Sequence, residues 1–430
     1  MQRVAIVAIG WPVPFAQVLS MDQANWLAGE GFSQVIYLDL TDAYFELKNH
    51  LPLRAIPRFR IPFLIQSMIR RATRRQFEIG RRVVLDSNSI GEEPSEPYDV
   101  ASQLDIATII RANWRDSFPE DIHGPDFHSA ESYLYSFATS LIRFIEVIRR
   151  QKNDEITWYI FNGRFPLEAI CSQVLKPLGC SVKYFEVGPR PRTIQVYDDS
   201  PFSHEERARL FETHWASAPA AQRVTGANLF LEERRNGRDP STLFWTQKQI
   251  SLDQILSDSQ NDRVITFYLS TLGELAAADF GEKHPLFEDQ FQALRWMLAT
   301  IDFSSSYLVI KDHPLTNYSL GRLLISLGFD LDHPKIRVID GDSQIPSRYL
   351  IQRSDCNVVY DSTIAADSIL SEKPTLILGR PIFASYFLKT ITLEEARELL
   401  TEAVLPNFDV SILLKWAYYN SSGARSMVVT

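Results

Sequence analysis

At 430 residues the chain is too long for one small module, and at roughly 150 residues per domain two domains are expected. Hydrophobic residues make up 45% and charged residues 23%, which argues against a disordered, collagen-like or low-complexity chain. A net charge of -9 and an isoelectric point near 5.5 argue against a nucleic-acid binder, whose phosphate contacts need a basic field.

The opening MQRVAIVAIGWPVPFAQ places Arg3 before an apolar run, as a secretion signal does, but Pro12 and Pro14 break that run. Residues 4–9 therefore read as a buried strand, followed by a helix through Trp26 to Glu30, a stop at Gly31 and a second strand, QVIYLDL. Between Arg54 and Arg82 nine arginines and one acidic residue, Glu78, alternate with Ile61, Phe63, Leu64, Ile65, Met68, Ile69 and Phe77. A basic amphipathic helix of this kind either lies on an anionic membrane surface or packs on a sheet with its charges solvated. An amphipathic helix over 129–150 then leads into the strand ITWYIF, a helix closed by Gly179, and the strand SVKYFE.

The stretch 187–260 is polar and helix-prone and is expected to hold the linker. From 260 onward strands RVITFYL, SYLVIK, KIRVID, CNVVY and PTLIL alternate with helices, enough for a second parallel sheet covered on both faces. The expected fold is α/β, with two Rossmann-like doubly wound domains over 1–255 and 256–390 facing a cleft. A helical tail over 391–430 is expected to pack back toward the first domain. No run of 18 or more apolar residues occurs, so no spanning helix is expected. The cysteines Cys171, Cys180 and Cys356 form no C-x-x-C pair; neither a disulfide framework nor a metal site is expected, and a reducing cytoplasm fits.

Residues able to carry chemistry cluster after predicted strands. In VIKDHPLTN, Lys311 and His313 alternate to one side of a strand end, with Pro314 opening the next turn. A cation and an imidazole there suit a phosphate leaving group. In NVVYDSTIAADSIL, Ser362 and Thr363 fall at a helix start, where unpaired N–H groups favour either an anion or plain capping. Asn162, Gly163 and Arg164 follow a strand in FNGRF, and Glu186 ends the next one, as a general base or an ion-pair partner of Arg164. In LSTLGELAAA, Ser270 is placed to meet a sugar or phosphate, while Thr271 and Glu274 have capping-box spacing. Metal-like histidine spacing, G-x-S-x-G, Walker A and clean G-x-G-x-x-G patterns are missing from the sequence.

Together, K-x-H-P after a strand, the later YDST and KP segment, and the upstream NGR and E-x-G elements resemble bacterial capsule and surface-polysaccharide glycosyltransferases of GT-B fold. That group includes Kdo-transferase-like and HP-motif sialyltransferase-like proteins. The resemblance implies a cytoplasmic, metal-independent transferase at the inner face of the membrane, with an acceptor-side first domain and a nucleotide-sugar-binding second domain. It implies a CMP- or UDP-linked sugar as co-substrate, no separate cofactor, and a glycan or glycolipid acceptor. It also implies donor-binding roles for His313, Ser362 and Thr363, joined by Lys311, Pro314 and Asp367, the last standing where many such enzymes have glutamate. Glu186 would act on the acceptor, with Asn162, Gly163, Arg164, Ser270 and Glu274 lining the cleft. The YDST and KP pattern is also similar to teichoic-acid glycerophosphotransferases, which use a CDP-alcohol. A nucleotide-sugar epimerase and a non-catalytic assembly partner stay open as further readings.

Overall fold

The computed structural model describes residues 3–9, 14–32, 34–40, 81–84, 104–110, 127–151, 155–190, 192–236, 256, 262–272, 286–314, 316, 318–343, 345–379, 392–402 and 410–427. Of the arginine-rich segment only Arg81 and Arg82 fall among them, and Glu274 lies outside them. The chain divides into two compact units, Met1–Pro201 with Ala424–Thr430, and Phe202–Gly423.

The first unit is built on strands β1 (Arg3–Ile9), β2 (Gln34–Asp39), β3 (Arg81–Val84), β4 (Glu155–Phe161), β5 (Ser181–Val187), β6 (Thr193–Tyr197) and β12 (Arg425–Ser426). Their order is β12-β6-β5-β4-β1-β2-β3. The five from β1 to β5 run parallel; β6 is antiparallel to β5, and β12 to β6. Helices α1 (Pro14–Gly29), α2 (Phe127–Gln151) and α3 (Pro166–Leu175) connect them. Val4 to Ala8 on β1 are wholly buried, as a central parallel strand covered on both faces requires. The chain builds outward from β1 through β2 to β3, then returns to place β4 on the other side of β1. That reversal is a topological switch point, where open α/β sheets bind ligands beyond their carboxyl ends.

The second unit carries helices α4 (His204–Ser217) and α5 (Ala220–Arg235), followed by an all-parallel sheet of order β11-β10-β7-β8-β9. Its strands are β7 (Arg263–Tyr268), β8 (Ser306–Lys311), β9 (Ile336–Ile339), β10 (Cys356–Val359) and β11 (Thr375–Ile377). Among the described residues its further helices are α6 (Gln290–Thr300), α7 (Leu320–Ser326), α8 (Ser347–Arg353), α9 (Ile364–Leu370), α10 (Leu393–Glu402) and α11 (Val410–Ser422). Strand alternation splits the core cleanly. Val264, Tyr268, Val309, Val359 and Ile377 pack with α4, α5, α8, α9 and α11, whereas Ile265, Phe267, Leu308, Ile310 and Val358 pack with α6, α7 and α10. Because α6 and α9 cover opposite faces, the switch point of this sheet lies between β7 and β10.

The division departs from the expected boundary at 255. Helices α4 and α5 belong to the second unit, because Phe211, Ala227, Phe230 and Leu231 complete one face of its core. The tail also differs: α11 packs on α4 and α5, and among the described residues of the tail it is β12 that pairs with the first sheet.

Candidate functional site

In the second unit, Val359, Tyr268 and Lys311 stand level in register on β10, β7 and β8. At about 4.8 Å per strand, the loops leaving β8 and β10 start roughly 10 Å apart with the β7 exit between them. The fold thus brings the segments carrying His313, Ser270 and the Ser362–Thr363 pair to one sheet edge.

His313 and Pro314 are half-buried in a tight turn. Asp312, only 2% exposed, fastens that turn: its Oδ1 accepts the His313 N–H at 2.8 Å and its Oδ2 accepts the Thr316 hydroxyl at 2.6 Å. The Thr316 hydroxyl also lies 2.7 Å from the His313 carbonyl. Burial pushes the Asp312 carboxyl up to about 6. Lys311, expected beside the donor phosphate, is engaged within the fold. Its side chain is buried, and Nζ donates to the carbonyls of Asp312 at 3.2 Å and Asp340 at 3.1 Å, which makes it a staple between two strand ends. Burial lowers it to about 8.

Glycines of the two outer strands back these loops. A Cβ at Gly341, after β9, would sit 2.3 Å from the His313 carbonyl oxygen and 2.1 Å from the Thr316 hydroxyl. A Cβ at Gly379, after β11, would sit 2.6 Å from the Tyr360 carbonyl oxygen and 2.8 Å from Asp361 Oδ1. Both contacts require a residue without a side chain.

On the β10 loop the Ser362 hydroxyl accepts the Ile364 N–H at 3.3 Å, and Thr363 occupies the N-cap position of α9 without a side-chain cap bond. Asp367, expected among the donor-binding residues, has its carboxylate taken up within the fold. Arg234 of α5 holds it in a buried two-pronged ion pair, Nε to Oδ1 at 2.7 Å and Nη2 to Oδ2 at 2.8 Å. Arg234 Nη2 also reaches the Thr363 carbonyl at 3.3 Å, and its guanidinium lies 5.3 Å from the Trp416 ring centre.

At the β7 exit Gln290, 1% exposed, grips the Ser270 peptide with both ends of its amide. Oε1 accepts the N–H at 2.9 Å and Nε2 donates to the carbonyl at 3.2 Å. The hydroxyls of Ser270 and Thr271 are buried and have no hydrogen-bond partner among the described residues. The capping box expected of Thr271 and Glu274 falls partly outside the described residues, since Glu274 is not among them. An unpaired buried hydroxyl costs about 1–3 kcal/mol.

In the first unit the β4 exit lies at the switch point and carries Asn162, Gly163 and Arg164. Asn162 is buried in the left-handed region at φ 59°, and Gly163 follows at φ 83°. A Cβ on Gly163 would come 2.8 Å from the Tyr184 ring. The Asn162 amide donates to Glu186 Oε2, while Glu186 Oε1 accepts the Val187 N–H at 2.9 Å. Asn162 Oδ1 accepts the Arg164 N–H at 3.2 Å, and the Arg164 guanidinium lies 5.1 Å from the Phe165 ring centre. Asn162 thus ties its turn to the carboxylate expected to act on an acceptor.

Sequence reasoning missed Gln290, Gly341, Gly379 and Arg234. A glycine directly after a strand is a readable sign of close approach, so Gly341 and Gly379 carried a signal. Gln290 lies 20 residues from its partner and gave none.

Among the described residues no group of three or more His, Cys, Asp and Glu side chains is arranged to hold a metal ion, and no helix is long and apolar enough to cross a membrane. No protein-family model matches the chain, and no curated protein matches it in sequence. Among solved structures, it is similar to the KpsC β-Kdo 2,7 transferase of Thermosulfurimonas dismutans at 17% identity and TM-score 0.40, over 64% of this chain and 78% of that one. The KpsC β-Kdo 2,4 transferase of the same organism aligns at 10% identity and TM-score 0.39, over 62% of this chain and 87% of that one. The MnaA–UDP structure from S. aureus aligns at 13% identity and TM-score 0.30, over 99% of this chain and 92% of that one.

Proposed function

We propose that the protein is a glycosyltransferase that moves a sugar from a nucleotide-sugar donor to a surface-polysaccharide or lipid-linked glycan acceptor. The observation that carries this reading is the convergence of three strand exits, those of β7, β8 and β10, at the switch point of the second sheet. Their side chains are rich in hydrogen-bond donors, which suits the acceptor oxygens of a phosphate ester. The K-x-H-P and YDST motifs occupy two of those exits, in keeping with the family they resemble.

In the proposed reaction His313 donates to the donor phosphate, while Ser362 and Thr363 add hydroxyl donors. Glu186 takes the acceptor hydroxyl proton as its oxygen bonds to the anomeric carbon. The anomeric carbon–phosphate oxygen bond breaks, and the nucleotide leaves with the electron pair. The charge is met by hydrogen bonds rather than a metal. A CMP- or UDP-linked sugar is the proposed donor, and the arginine-rich segment is the proposed contact with an anionic membrane carrying the acceptor.

Thermal melting against CMP, CDP, UDP, GDP and dTDP tests the donor, because a ligand present at 100 times its Kd stabilises the folded state by about 2.7 kcal/mol. One nucleotide is expected to raise the melting temperature, and His313→Ala to abolish most of that rise. Full retention by the variant would remove His313 from the site. Product analysis with the matching nucleotide sugar, with and without glycan acceptor, separates transfer from epimerisation, which needs no acceptor.

A further inference from the structure

The β7 exit buries two neighbouring hydroxyls beside a fixed backbone. Ser270 and Thr271 are 4% and 7% exposed, yet neither hydroxyl has a partner among the described residues. The Gln290 clamp occupies both polar groups of the Ser270 peptide, so the backbone cannot turn to satisfy the side chain without breaking two hydrogen bonds. Buried hydroxyls left unpaired beside a pinned backbone point to a partner that arrives from outside the protein. Their position indicates its chemistry. Strand β7 lies between β8 and β10, so the segment bearing the two hydroxyls leaves the sheet between the segments bearing His313 and Ser362 with Thr363, and the three form a row of donor-bearing strand exits. Such a row suits oxygens that only accept.

We propose that Ser270 and Thr271 donate to the phosphate oxygens of the bound nucleotide, and that Gln290 is the positioning residue that presents them. The inference rests on the nucleotide-sugar reading for the identity of its ligand, but the anion contact can be tested apart from it. A phosphate at this point would satisfy both hydroxyls at once, and the cost of leaving them unpaired would apply to the empty protein alone.

The test compares wild type with Ser270→Ala and Thr271→Val, using melting temperature and titration with the five nucleotides, inorganic pyrophosphate and the matching nucleosides. Both variants remove an unpaired group, so the unliganded proteins are expected to melt at or above the wild-type temperature. Each is expected to lose tenfold or more in affinity for nucleotide and pyrophosphate. Variants that melt several degrees lower and bind normally would assign the hydroxyls to the fold and overturn the proposal, as would unchanged affinity at any melting temperature.

Pyrophosphate binding that is lost in the variants, without nucleotide binding to wild type, would uphold the anion contact and remove the nucleotide reading. Binding of neither by wild type would overturn both. For Gln290 the readout is coupling. Gln290→Glu keeps the acceptor but loses the donor, and it is expected to weaken nucleotide binding. Added to the Ser270→Ala, Thr271→Val double variant it should cost little further affinity; a full additive loss would remove the positioning role.

Discussion

Asp312 and Lys311 are adjacent, buried, and displaced in opposite directions from their ordinary ionisation, which gives the His313 turn a definite pH signature. The Asp312 carboxyl is raised from 3.8 to about 6, so the folded protein holds this proton more tightly than the unfolded chain. Between those two values folding takes up a proton, and stability falls as pH rises, by roughly 3 kcal/mol across the window. Lys311 is lowered from 10.5 to about 8, so between those values folding releases a proton and stability rises with pH. The charges facing the pair come from Asp340 and Asp342 after β9. Asp312→Asn resembles the protonated acid, because its amide can donate to the Thr316 hydroxyl while its carbonyl accepts the His313 N–H. Urea denaturation across a pH series is expected to show the acid limb flattened in this variant; an unchanged slope would place the titration elsewhere. At this scale the sequence located the turn that carries His313 but not the partners of its neighbour. Alternation along a strand put Lys311 beside His313, yet whether an ammonium points into a pocket or pairs with carbonyls depends on the β9 exit, 29 residues away.

The same distinction holds for whole elements. Hydrophobic patterning identified most strands of both sheets because runs such as RVITFY and SYLVIK are apolar on both faces. The short strands β3, β6 and β12 lack such runs and acquire their identity by pairing with a neighbour. Helix α5 shows what pattern alone leaves open. Its buried residues Ala227, Phe230, Leu231 and Arg234 form an i, i+3, i+4, i+7 stripe, so an arginine occupies a core position. That anomaly was visible in the sequence and calls for a buried carboxylate, but the partner is 133 residues away on α9. Arg234→Ala would leave Asp367 charged and unpaired in the core, and is predicted to destabilise the protein by about 3–5 kcal/mol in urea denaturation. The double variant Arg234→Ala with Asp367→Ala should recover part of that loss. Equal destabilisation by single and double variants would mean that packing on Trp416, rather than the ion pair, is what the arginine supplies.

For the molecule as a whole, chain order and fold order diverge at both ends of the second unit. The chain leaves the first unit at Pro201, completes the second through Gly423, and gives its last residues back to the first. The sequence placed the break near 255 because the polar helices α4 and α5 look like linker when read alone. Their apolar stripes are short, and nothing local indicates which sheet they cover. The core of the second unit includes Phe211 of α4, Phe230 of α5 and Trp416 of α11. A fragment covering 202–423 is therefore predicted to be soluble and to unfold cooperatively. A fragment starting at 256 loses two covering helices, exposes that apolar face and is predicted to aggregate. Circular dichroism melting and size-exclusion chromatography of both fragments check this; a well-behaved 256–423 fragment would contradict the assignment of α4 and α5.

The bare α-carbons at Gly341 and Gly379 have a reach beyond their own contacts. Each belongs to an outer strand's exit, yet each supports a neighbouring turn that bears chemistry-capable side chains. A single methyl group added there would displace the His313 or Tyr360 carbonyl like a shim behind a hinge, without altering any group presented to a ligand. The gap separating the two turns is thus set from its flanks, at positions that a comparison confined to the lining would overlook.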